Sequence, residues 1–141
     1  MADNLKMVHG EPSWDVKHNA LVDVVEKMGG VVNGLQWTKP TDDGIVFLNG
    51  WSGRATYSYL QIGDKKIVDL QVVTKGNAKA GQYTEIFAIP DNVKPKNRML
   101  QCRYWQTIGQ ISDNKMGVLS TDELKADQNN WTYVGDFIYV I

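Results

Sequence analysis

Three tryptophans of this sequence stand among hydrogen-bonding side chains. Trp51 neighbours Ser52 and Arg54, Trp105 neighbours Gln101, Arg103 and Gln106, and Trp131 follows Asn129 and Asn130. A sugar ring presents an apolar C–H face and a rim of hydroxyls. An indole covers such a face while amide, guanidinium or carboxylate groups bond the rim, so saccharide binding is the chemistry these sets are equipped for. Each tryptophan also suits the core of a β domain or a subunit contact, because aromatic residues favour strands. Alternation along a strand puts Gln101, Arg103 and Trp105 on one face, and a face of that composition makes poor core. Gln101, Arg103, Trp105, Asn130 and Trp131 are therefore the candidate ligand set.

Signals for catalysis are weak. The two histidines, His9 and His18, both lie in the N-terminal segment, and a Ser-His-Asp or Cys-His pair would need one of them to reach the β domain. "GNAKAGQ" lacks the Lys-Ser/Thr end of a phosphate loop. The adjacent acids Asp42-Asp43 and Asp122-Glu123 sit in the turn-like stretches "TDDG" and "STDEL", and no stretch has the alternating acids of a calcium loop. The single cysteine, Cys102, excludes an internal disulfide and a cysteine-based zinc cluster, and reads as a small buried hydrophobe. The sequence assigns no catalytic residue, no metal ligand and no cofactor, and the expectation is a protein that is not an enzyme.

With 15 basic and 16 acidic side chains in 141 residues, the chain lacks the basic excess of a nucleic-acid binder. No apolar run approaches the roughly 20 residues that cross a bilayer, and the opening "MADNLKMVHGEPSWD" lacks the apolar stretch of a secretory signal. Neither nucleic acid nor membrane insertion is expected.

The elements that must position the tryptophans are mostly strands. One segment has a helical period: in "SWDVKHNALVDVVEKMGG", Val16, Leu21, Val24, Val25 and Met28 fall on one apolar stripe, and Gly29-Gly30 ends it. The spacing predicts a helix over about 14–28, too short to be stable alone. It therefore packs on its own domain or on copies of itself as an oligomer stem. "GGVVNGLQWTKPTDDG" follows as a connector, with residues 37–43 as the linker proper. From residue 44 to 141 the chain alternates short strands with turns at the spacing of an antiparallel sandwich or barrel-like head. "FLNGW" carries the Asn-Gly pair of a tight hairpin, and "NRMLQCRYWQTIGQIS" reads as one strand. The fold class is mostly β: a short N-terminal helix, then an antiparallel β head.

"KMVHGEPSWDVKHNALVDVVEKM", with Gly10, Pro12, Trp14, Asp15 and Asn19 at the characteristic places, resembles the opening of tail-tip proteins from phages infecting lactic-acid bacteria and related Gram-positive hosts. "TDDGIVFLNGW" is similar to the start of their β heads. Ile89, Pro90 and Pro95 match a segment that links two head strands there, and "NNWTYVGDFIYVI" resembles their last strand. The likeness covers nearly the whole chain but is a pattern with no catalytic signature. It implies a receptor-binding or baseplate protein of the virion tail tip, assembled in the host cytoplasm as a homotrimer, contacting other tail proteins and binding host cell-wall polysaccharide. Binding residues vary within that family, so none is carried over. The chain lacks a long shaft, which admits an accessory subunit instead: a structural adaptor making only protein contacts. A wall hydrolase is a third reading. If the helix is a stem, Trp51 is expected at the neck or between subunits.

Overall fold

The computed structural model describes residues 20–28, 34–96 and 99–141 of the chain. Residues 20–28 form a helix, α1. Of its stripe, Leu21 is half-buried while Val24, Val25 and Met28 are exposed. Val16, the two histidines and the first turns of the expected helix lie outside the described residues.

Trp37–Ile141 is one compact unit, distinct from the segment that carries α1. Its eight strands are β1 (Val46–Phe47), β2 (Ser52–Ile62), β3 (Lys65–Lys75), β4 (Thr84–Ala88), β5 (Met99–Tyr104), β6 (Thr107–Ser112), β7 (Lys115–Ser120) and β8 (Tyr133–Val140). They make two antiparallel sheets, β1-β4-β7-β6-β5 and β2-β3-β8, packed as a sandwich with β5 and β6 over β8. Period-two alternation decides which side chains meet. Val68, Leu70 and Val72 of β3 are fully buried, with Phe137 and Tyr139 of β8 beside them. From the other sheet come Ile86, Phe87, Ile111, Met116 and Val118. Cys102, read from the sequence as buried, is half-buried and packs against this core.

Three expectations need correction. Asn49 and Gly50 do take the paired positive φ angles, 54° and 76°, that an Asn-Gly turn favours. The strands they join, however, belong to different sheets, since β1 pairs with β4 and β2 with β3. The turn is a corner between layers and not a hairpin. It is held there by Leu48 N–H bonding Ile86 O at 2.9 Å and by Asn49 Nδ2 bonding Glu85 O at 2.8 Å.

Trp51, expected at a neck or subunit contact if the helix is a stem, is instead a core residue of the β unit with 3% of its surface exposed. Its indole lies flat against Gly76, where a Cβ would overlap the ring. That close approach requires a glycine.

The stretch 37–43 is not a detached linker. Trp37 and Thr41 bridge Leu60 and Tyr57 along the edge of β2, and the Tyr57 hydroxyl donates to Asp43 O at 3.0 Å. Pro40, which has no N–H, interrupts that pairing and prevents a continuous strand.

Candidate functional site

The stretch read as one strand through Trp105 is two strands. β5 and β6 pair antiparallel with Tyr104 opposite Thr107, leaving Trp105 and Gln106 as a two-residue turn. Trp105 therefore shares no strand face with Arg103, contrary to the alternation argument. It occupies the hairpin tip at φ 56°, and 80% of its surface is exposed. Left-handed backbone at a bulky residue is strained, by about 1–3 kcal/mol. The surroundings hold it. Arg103 Nε donates to Trp105 O at 2.9 Å, and Thr121 N–H bonds Gln106 O at 3.4 Å. The Tyr104 ring meets the indole edge-on, with centroids 6.4 Å apart. Tyr104 in turn stands edge-on to buried Tyr133 at 6.1 Å. Tyr133 is fixed by its hydroxyl, which donates to Cys102 O at 2.9 Å; burial raises its pKa far above the ordinary phenol value.

The loop between β7 and β8 brings the second tryptophan to the same place. Thr132 N–H bonds Thr74 O at 2.8 Å, and Thr132 Oγ1 accepts from Gly76 N–H at 3.1 Å, which ties the loop end to β3. Upstream, Asp127 accepts Asn129 N–H at 2.9 Å and Asn130 Nδ2 at 2.8 Å. Those bonds, with a smaller contribution from the Lys75 charge, hold the Asp127 carboxyl below its usual pKa. The Lys75 ammonium caps the loop, bonding Gln128 O at 2.7 Å and standing 4.9 Å from the centre of the Trp131 ring. Trp131 keeps 47% of its surface exposed.

Between these two loops, at one end of the sandwich, lies an open cleft of about 420 Å³. Trp105, Asn130 and Trp131 all line it. Thr107 and Ser120, buried and paired across β6 and β7, contribute hydroxyls, and Glu123, Lys125 and Asp127 contribute charge. Of the sequence candidates, Gln101 and Arg103 do not line the cleft. Gln101 lies on the outer face of β5 and donates to Gln110 Oε1 at 3.3 Å, while Arg103 acts by bracing Trp105. Sequence reasoning missed Thr107, Ser120, Glu123, Lys125 and Asp127. A usable signal was present in the long polar run "TDELKADQNNWT" between two strands, since extended loops on a rigid scaffold commonly carry binding groups.

Chemically, the cleft offers two exposed tryptophans with hydroxyl, amide and carboxylate groups beside them. Asp127, bonded and ionised, is suited to accept hydrogen bonds from hydroxyls and not to donate a proton. No group of three or more metal-ligating side chains gathers among the described residues, and no helix there is long and apolar enough to cross a membrane. No protein-family model, curated protein or solved structure matches the chain.

Proposed function

We propose that the β unit is a non-catalytic saccharide-binding head of a phage tail-tip or baseplate protein, acting in adsorption to the host cell wall. One observation carries the binding part: Trp105 and Trp131, 26 positions apart in the chain, wall a single cleft with hydroxyl, amide and carboxylate groups between them. The strained, braced backbone at Trp105 adds support, because such strain is characteristic of places where a side chain is held for a ligand. The tail-tip setting rests on the resemblance of the N-terminal and strand-linking segments.

In this reading α1 gathers copies of the chain into a homotrimer, for which the exposed Val24, Val25 and Met28 supply apolar surface. Other tail proteins hold the assembly at the virion. Linked copies gain avidity of about 10²–10⁴ over one site, so a shallow cleft suffices. The test is binding to polysaccharide purified from walls of lactic-acid bacteria, compared between the parent and Trp105→Ala and Trp131→Ala. Binding that persists unchanged in both variants refutes the assignment.

A structural adaptor is the second reading, favoured by the outer face of the β2-β3-β8 sheet. There Ile138 and Val140 are exposed on β8, with Ile67 opposite Val140 and Leu60 opposite Ile67. An apolar surface of that kind suits another tail protein. An adaptor would bind that protein and show no affinity for wall polysaccharide.

A further inference from the structure

A second open depression, of about 640 Å³, adjoins the tryptophan cleft. The two share Glu123, Leu124 and Lys125 as a common wall. The main chain of that wall is tied down by hydrogen bonds. Leu124 and Ala78 exchange both main-chain hydrogen bonds, at 2.8 and 2.9 Å, and Ala126 N–H bonds Asn77 Oδ1 at 2.7 Å. On its crest Lys125 Nζ lies 3.7 Å from Glu123 Oε2. The far side is lined by Asn49, Asn77, Lys79, Gln82 and Thr84. Asn49 uses its amide N–H on Glu85 O and keeps its oxygen, while Asn77 uses its oxygen on Ala126 and keeps its amide N–H groups. Lys79 and Gln82 are exposed.

Resting on the saccharide reading of the tryptophan cleft, we infer that the two depressions form one track for several consecutive sugars of a linear, uncharged polysaccharide. The chain stacks on Trp105 and Trp131 at one end, crosses the Glu123–Lys125 crest, and bonds the amides and ammonium of Asn49, Asn77, Lys79 and Gln82 at the other. The two ends differ in kind, aromatic against amide-rich, which gives the bound chain a direction. An uncharged ligand is inferred from the lining, where Lys79 and Lys125 balance Glu123 and Asp127, while Lys75 at the rim is engaged by Gln128 O and the Trp131 ring. A polyanionic wall polymer needs a basic excess and would meet two carboxylates instead.

The test is calorimetric titration of the whole protein with disaccharide-to-octasaccharide ladders cut from neutral wall polysaccharide of lactic-acid bacteria. Lys79→Ala/Gln82→Ala serves as the variant, with circular dichroism confirming its fold. The track predicts affinity rising about tenfold or more from disaccharide to hexasaccharide, a gain worth about 1.4 kcal/mol per tenfold. The variant loses that gain and keeps the disaccharide affinity. Affinity that levels off at the disaccharide, or a length gain untouched by the variant, overturns the track and leaves the tryptophan cleft standing. Tighter binding of teichoic acid, weakening steeply with salt, overturns the uncharged ligand. If no oligosaccharide binds at any length, the saccharide reading itself falls, and the track with it.

Discussion

Arg103 Nε donates to the main-chain oxygen of Trp105 at 2.9 Å, so a side chain at the end of β5 braces the hairpin tip that presents the exposed indole. Removing the brace leaves the indole chemically intact but less fixed in place. Arg103→Ala is expected to weaken saccharide binding about threefold to tenfold, the weight of one net hydrogen bond of about 0.5–1.5 kcal/mol. Isothermal titration of the variant beside the parent checks this. The urea midpoint should move little, since Arg103 is exposed.

The strain at Trp105 sets stability against function. Glycine adopts φ 56° without steric cost, so Trp105→Gly should be at least as stable as the parent while losing saccharide affinity. Urea denaturation and a binding titration on the same sample measure both. A variant that is much less stable would mean the indole contributes packing that its 80% exposure does not suggest.

Why this site was only half legible in the sequence follows from the same residue. The buried side chains of β3 and β8 keep strict parity (Val68, Leu70 and Val72; Tyr133, Phe137 and Tyr139), but the sequence alone left open which face of each strand is core. Between Tyr104 and Thr107 the inward parity changes from even positions (Leu100, Cys102, Tyr104) to odd ones (Thr107, Gly109, Ile111). No glycine, asparagine or proline marks the turn, because a tryptophan occupies the left-handed position such residues normally take. The candidate tryptophans were legible by type, and their meeting in space was not. Trp131 arrives through a loop whose course is set by tertiary bonds to Thr74, Gly76 and Lys75, and Trp51 looked alike in sequence yet lies in the core.

Gly109 sits under the ring and hydroxyl of Tyr133, with Met116 also close, so an added methyl group overlaps all of them. Gly109→Ala should destabilise the protein by about 1–3 kcal/mol through overpacking. It should also weaken saccharide binding, because Tyr133 supports Tyr104, and Tyr104 supports Trp105. Urea unfolding reads the first effect and titration under native conditions the second.

Stability should depend on pH through the outer face of the β2-β3-β8 sheet. Asp136 is raised to about 6, first by a hydrogen bond to Asp69 that only its protonated form can donate, then by burial and the Asp69 charge. Among the described residues, Asp69 Oδ1 is buried with no hydrogen-bond partner, which leaves it free to accept the Asp136 proton. A carboxyl whose folded pKa is raised binds its proton more tightly in the native state. Its stabilising contribution is therefore present below pH 4 and lost as the pH rises through 6. Asp136→Asn, which keeps a donor at all pH values, should raise Tm more at pH 7.5 than at pH 4. Equal shifts at both would show that the Asp136 carboxyl is not raised in the folded protein.

NMR of the indole N–H signals reports whether a saccharide is held between Trp105 and Trp131. These would be assigned with single-tryptophan variants and followed while neutral wall oligosaccharide is added. Saturable shifts of the Trp105 and Trp131 signals are expected, with the buried Trp51 unmoved as an internal control. Saturable binding that leaves both exposed indoles unshifted, or no binding at all, would contradict a saccharide held there.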